Sequence, residues 1–120
     1  MLVQGDTFFG GAEVHGEDHL WIVINDPHAH NGIALIVNVS TLRSDAETTC
    51  IVKAGEHVFI KHDSYVRYMS ARSPKAADII KAIKAGKIKS HQAASQSLLN
   101  KLRAGAQAST MLPMEMKGLL

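Results

Sequence analysis

Seven histidines and a single cysteine hold most of the reactive side chains of this 120-residue sequence. Imidazole is the group best suited to give and take protons near neutral pH, and its neutral ring also ligates metals. His28 and His30 flank Ala29 in a loop after Pro27, a pair able to ligate a metal. No second cluster with Cys or carboxylate spacing accompanies them, so no metal site is expected. Lys61-His62-Asp63 joins an imidazole to a carboxylate, but neighbours on an extended backbone point apart and make no relay by themselves. His62 remains a candidate for facing a substrate groove. Cys50 lies within Thr49-Cys50-Ile51-Val52 and reads as a small buried hydrophobe. Nothing near it in sequence would lower its pKa and make it a nucleophile. Gly10-Gly11 is not a phosphate-binding fingerprint, because no helix signal follows it.

These residues are unevenly spread. Residues 1–70 contain all the aromatic side chains, every histidine but His91, and four basic against nine acidic residues, a net of −5. Residues 71–120 contain nine basic residues against Asp78 and Glu115, a net of +7. An acidic, aromatic body thus carries a basic tail, a split that suits a polyanion or an acidic protein segment as partner. A hydrophobic share of 46% with a net charge of only +2 excludes a disordered chain. The length suits one domain over 1–120 that needs no disulfide or metal to hold it together. Met1 is followed by Leu-Val-Gln-Gly-Asp, which has neither the basic start nor the apolar core of a secretory signal. The longest apolar stretch is far below the roughly 18 residues that span a bilayer. The expectation is a soluble cytoplasmic protein without a membrane partner.

The elements that position these groups fall into two halves. Strand signals run from Asp6 to Phe9, Leu20 to Ile24, Ile33 to Val39, Thr48 to Lys53, Val58 to Ile60 and Ser64 to Tyr68. Turn clusters such as Asn25-Asp26-Pro27 and Ala54-Gly55 separate them, and a Gly-, Glu- and His-rich loop spans Gly10 to Asp18. Several short strands so spaced predict a small barrel. Ser73-Pro74 then predicts a helix start, with Ile79, Ile80 and Ile83 as its apolar stripe and Gly86 as its stop. Ser90 is the predicted cap of a second helix carrying Ala94, Leu98 and Leu102, with Gly105 just past its end. The apolar tail Thr110 to Leu120 either packs on the body or frays. The predicted division is a barrel over 1–72 and a basic helical extension over 73–120.

Four segments, in order, resemble the MazF/PemK toxins of type II toxin–antitoxin systems. Gly5-Asp6-Thr7-Phe8 is similar to that family's first strand, and His19-Leu20-Trp21-Ile22-Val23-Ile24-Asn25 falls where an Arg-Pro pair leads into the second. Ile36-Val37-Asn38-Val39-Ser40 resembles the third strand, which ends on Thr or Ser. Thr49-Cys50-Ile51-Val52 and Asp63-Ser64-Tyr65-Val66-Arg67 resemble the later ones. The likeness covers roughly residues 3–72. It implies an SH3-like β-barrel with C-terminal helices, mainly β with α. It also implies a homodimer, cleavage of single-stranded RNA without metal or other cofactor, and control by an antitoxin protein. His19 stands at the position of the catalytic Arg, Ser40 at the catalytic Thr/Ser, and Arg67 at a strand Arg that some members use. His15 lies in the loop that covers the RNA groove in the family. The chain departs from the pattern where His19-Leu20 replaces Arg-Pro and where Met69 stands in place of an acidic base.

The chemistry of that trio is self-consistent. Metal-free RNA cleavage needs a base for the 2′-hydroxyl proton, donors for the phosphorane and an acid for the leaving 5′-oxygen. His19 can carry a proton, Arg67 offers a permanent forked charge, and the Ser40 hydroxyl can orient a phosphate oxygen. His15, His62 and Tyr65 are the candidate substrate-binding residues. Trp21 and Phe59 are expected in the core, and Tyr65 and Tyr68 point to opposite faces of one strand, so one of the two at most is expected to stack on a base. Two other functions fit the same residues. One is a non-catalytic SH3-like binding or regulatory module, and the other is a nucleic-acid-binding protein that uses its basic helical tail.

Overall fold

The computed structural model describes residues 1–10 and 18–120, so His15 and Gly11 lie outside the described residues. Among the described residues six strands are present: β1 (Thr7–Gly10), β2 (His19–Val23), β3 (Ile36–Thr41), β4 (Ile51–Val52), β5 (Ser64–Val66) and β6 (Lys89–His91). They form one antiparallel sheet in the order β4-β5-β3-β2-β1-β6. Among the described residues three α-helices accompany it: α1 (Ala76–Lys84), α2 (Gln96–Ala108) and the short α3 (Met114–Lys117). The molecule is therefore a mixed α/β domain. Among the described residues no helix is long and apolar enough to cross a membrane.

The register explains why the strands read as continuous apolar runs. Leu20 pairs with Val39 and Ile22 with Val37, and these side chains join Val66 on one face, packed against Leu98, Leu99 and Leu102 of α2. Phe8 pairs with Trp21 and Val23 with Ile36, and these face the other way, against Ile79 of α1. A sheet covered on both faces has no solvent side to fill with polar residues. Each fully buried leucine or valine of this kind contributes about 1.5–3 kcal/mol.

Several predicted boundaries move. Val58–Ile60 is a turn, not a strand, and the Ile33–Val39 segment enters the sheet only at Ile36. Before that point the buried Asn25 holds the chain, accepting from Leu35 N–H at 2.7 Å and donating to the Ile33 carbonyl at 3.0 Å. Ser73-Pro74 does not start α1. Residues 72–75 lie extended beside residues 33–36, with Ala34 N–H donating to the Pro74 carbonyl at 2.8 Å and bridges at Ile33–Lys75 and Ile36–Arg72. The helix begins at Ala76 with Lys75 as a cap that makes no side-chain bond.

Residues 73–120, expected as an appended extension, contribute both a strand and part of the core. Ser90 pairs with Phe8 in β6, and Ser95 is the cap of α2, its hydroxyl accepting from Leu98 N–H at 3.1 Å. The tail packs. Leu112 is buried, Met116, Leu119 and Leu120 lie against the same core, and the buried Ser109 hydroxyl donates to Glu47 at 2.6 Å.

Gly105 lies inside α2 and not beyond its end. A side chain there would collide with the Tyr68 hydroxyl and stand 2.9 Å from Cys50 Cβ. That close approach lets Tyr68 donate to the Leu102 carbonyl at 2.8 Å. Burial pushes both the Tyr68 phenol and the Cys50 thiol up, so both keep their protons near neutrality.

Lys101 of α2 donates to Glu56 at 2.9 Å, and Glu56 also accepts from Lys53 N–H at 2.6 Å. Partial burial opposes ionisation of Glu56, but these two hydrogen bonds outweigh it and hold the carboxyl below its ordinary range.

Two outcomes follow. Gly105→Ala overpacks the helix–tyrosine contact and should cost about 1–3 kcal/mol in urea denaturation. Because folding lowers the Glu56 pKa, its contribution is complete above the unfolded-chain value and disappears as pH falls through the folded one. The ion pair is partly exposed and worth less than about 1 kcal/mol. Glu56→Gln should therefore destabilise at pH 7 and leave stability at pH 3 unchanged, as read from urea midpoints at the two pH values.

Candidate active site

A cleft of about 630 Å³ opens where the start of β2, the end of β3 and the turn before β5 meet. His19, Ser40, Arg67 and His62 all line it, although nearly fifty residues separate the first from the last. The sheet accounts for this. Leu20 pairs with Val39, so extending the register by one residue sets His19 across from Ser40. Ser40 in turn pairs with Tyr65, and Arg67 N–H donates to the Asn38 carbonyl at 3.1 Å. Opposed residues share a face of an antiparallel pair. His19, Ser40 and Arg67 therefore share one face across three adjacent strands.

Arg43 and Lys61 join Arg67 as cations lining the cleft, and among its described lining residues Asp18 is the one carboxylate. Arg43 is already paired with Asp45 at 2.9 Å. Among the described residues, Arg67, Lys61 and the His62 ring have neither an ion pair nor a side-chain hydrogen bond. A cleft with unspent cationic donors is suited to an anion. His62 is not part of a relay with Asp63, whose carboxylate accepts from Ala54 N–H at 3.0 Å and Lys53 at 3.4 Å. Those bonds hold Asp63 below the ordinary aspartate range.

Two expectations change. Tyr65 is only 2% exposed, enclosed between β3 and β4, and does not line the cleft, so its ring is not available to a substrate. Phe59 is only partly buried, and it lines the cleft together with Phe9, their ring centroids 4.6 Å apart. His91 closes edge-on against Phe59 at 4.8 Å. Phe9 carries no motif, and the strand parity that separates it from the buried Phe8 was the only sequence signal for it. Trp21 is in the core as expected, its indole N–H donating to the Gly10 carbonyl at 3.2 Å.

His57, which has no motif either, fixes the aromatic wall. It is 4% exposed; its Nδ1 accepts from Phe59 N–H at 3.0 Å and its Nε2–H donates to the Gln92 carbonyl. The ring thus ties the residue 57–59 turn to the exit of β6, and it is a structural histidine. His28 and His30 occupy a short 3-10 turn over Pro27–His30, where His28 lies against Met1 Sδ. Among the described residues no three His, Cys, Asp or Glu side chains converge as a metal site would require.

No model of a known protein family matches this chain, and no curated protein matches it either. The cleft therefore has to be read from its own chemistry.

A comparison of two variants checks this division of roles. Arg67→Ala, which removes an unengaged side chain, should leave stability within about 0.5 kcal/mol of wild type. His57→Ala, which orphans a buried N–H and a carbonyl, should cost about 1–3 kcal/mol in the same denaturation measurement.

Proposed function

We propose that this protein is a metal-free endoribonuclease acting on single-stranded RNA, of the MazF/PemK toxin type. The observation that carries the reading is the convergence of His19, Ser40 and Arg67 on one cleft with His62 beside them. The substrate phosphate sits against Arg67, whose guanidinium takes the charge that builds on the non-bridging oxygens in the phosphorane. The Ser40 hydroxyl donates to one of the same oxygens. One of the two imidazoles removes the 2′-hydroxyl proton, and the 2′-oxygen attacks phosphorus. The other protonates the departing 5′-oxygen. The products are a 2′,3′-cyclic phosphate and a 5′-hydroxyl, and no metal or other cofactor enters the balance.

The departures from the toxin pattern fit this division of labour. Met69, where some members carry an acidic base, is 52% exposed and does not line the cleft. A proton carrier is supplied instead by His19 or His62, so histidine replaces both the missing arginine and the missing carboxylate. The same reading brings an SH3-like barrel closure of the sheet, a homodimer and an inhibitory antitoxin protein.

Incubation with labelled single-stranded RNAs of mixed sequence in EDTA should yield fragments ending in a cyclic phosphate. Ser40→Ala and Arg67→Ala should each slow cleavage, and His19→Ala should slow it by about 10²–10⁴-fold, the usual worth of a positioned proton carrier. A pH–rate profile with two limbs is expected, and His62→Ala should remove one of them. RNAs left intact where a known ribonuclease cuts them would end the proposal. The non-catalytic reading would then take its place.

A further inference from the structure

The basic half of the chain is concentrated in one run. Between residues 72 and 89 stand Arg72, Lys75, Lys81, Lys84, Lys87 and Lys89, with Asp78 as the only acid. All six cationic side chains are exposed, and among the described residues none makes an ion pair. Asp78 lies three residues from both Lys75 and Lys81, a helical spacing that allows pairing, yet pairs with neither. Among the described residues, no acidic side chain of the body pairs with this run. Ion pairs among the described residues instead join Lys53 to Asp63, Lys101 to Glu56 and Arg43 to Asp45. Holding this many like charges together without counter-charges carries a repulsive cost that a bound polyanion relieves.

The run is also rigidly placed. Ile79 is buried against the sheet, with Ile80 and Ile83 packed around it, so α1 cannot swing away from the body. Gly86 at φ +75° turns the chain from α1 towards β6. In β6, Lys89 pairs directly with Phe9, and Phe9 lines the cleft. The run therefore reaches from α1 to the strand beside Phe9.

We propose that the exposed lysines of α1, the Gly86 turn and β6 form a sequence-independent phosphate track that binds the single strand flanking the nucleotides held in the cleft. The proposal rests on the RNA reading of that cleft for what lies at its inner end. Its own content is the backbone-binding surface outside it. Phosphates beyond the scissile one pass from the Phe9–Phe59 wall onto Lys89 and Lys87, and from there onto Lys84 and Lys81. Substrates too short to leave the cleft gain nothing from the track.

The test is binding of a fluorescent 12-nucleotide 2′-O-methyl oligouridylate, whose blocked 2′-oxygens prevent cleavage, measured by anisotropy across a salt series. Each phosphate neutralised on a single strand contributes about 0.7 to the slope of log K against log salt. Lys81→Gln/Lys84→Gln/Lys87→Gln/Lys89→Gln should make that slope shallower by about 3. A matched pair localises the effect. Lys84→Gln/Lys87→Gln should lower the slope by about 1.4, whereas Lys53→Gln/Lys117→Gln, of equal charge change, should leave it as in wild type. A wild-type slope in the quadruple variant, or equal losses in the two double variants, overturns the track. Cleavage of unmodified RNA is scored separately. A protein that never cuts RNA but loses binding in the quadruple variant retains the track and forfeits the nuclease reading. A protein that cuts RNA while the quadruple variant binds like wild type does the reverse.

Discussion

Contact between α2 and Tyr68 at Gly105 is the constraint through which the core and the cleft are joined. The phenol is wholly buried and donates to the Leu102 carbonyl on the facing turn of α2, with the Cys50 thiol as a second neighbour. Only a residue without a side chain at 105 lets the helix approach closely enough for that bond. Tyr68 immediately follows Arg67, and its ring fixes where the strand ends and the 3-10 turn over Tyr68–Ser70 begins. Arg67 is held from behind by that anchor and from the side by its backbone bond to Asn38. A permanent charge is thus presented to the cleft, and among the described residues no carboxylate pairs with it. A buried phenol deprived of its acceptor would cost about 1–3 kcal/mol, more than the net worth of the bond itself.

A second constraint acts on the opposite wall. Phe59 is placed by a histidine that has used both of its nitrogens, one as acceptor and one as donor. Such a ring is committed to one tautomer by its two hydrogen bonds. The molecule therefore separates histidines that hold structure from histidines that face solvent. The separation follows from burial and hydrogen bonding and leaves no trace in the spacing of residues.

Charge is arranged on the same plan. Acidic residues of the body are engaged with backbone N–H groups and with lysines at the ends of elements, as at Glu56 and Asp63. Among the described residues, Arg67 and Lys61 of the cleft and the lysines of α1 are left without an ion pair. An uneven distribution of this kind does little for folding, since exposed pairs stabilise weakly, whereas unscreened surface charge attracts anions in general.

The apolar runs at Leu20–Ile24 and Ile36–Val39 determined by themselves that there would be a buried sheet, because only strands covered on both faces are apolar without alternation. The isoleucine stripe and Gly86 likewise determined α1 and its end, through helical period and the glycine's positive φ. The resemblance brought His19, Ser40 and Arg67 into view by type and order. Their convergence was decided by the β2–β3–β5 register, which no local signal encodes. Lys89–His91 is polar and exposed, and it is a strand only because the open edge of β1 supplies its partners. The helix start moved from Ser73 to Ala76, and the cap from Ser90 to Ser95, because pairing with distant backbone at Ala34 and Phe8 outweighed local capping preference. Gly105 read as a stop and proved to be a point of close approach, and Tyr65 read as a groove residue and proved to be core. In each case the sequence specified what a residue can do, and long-range packing chose among those options because burial and backbone pairing carry more free energy than local propensity.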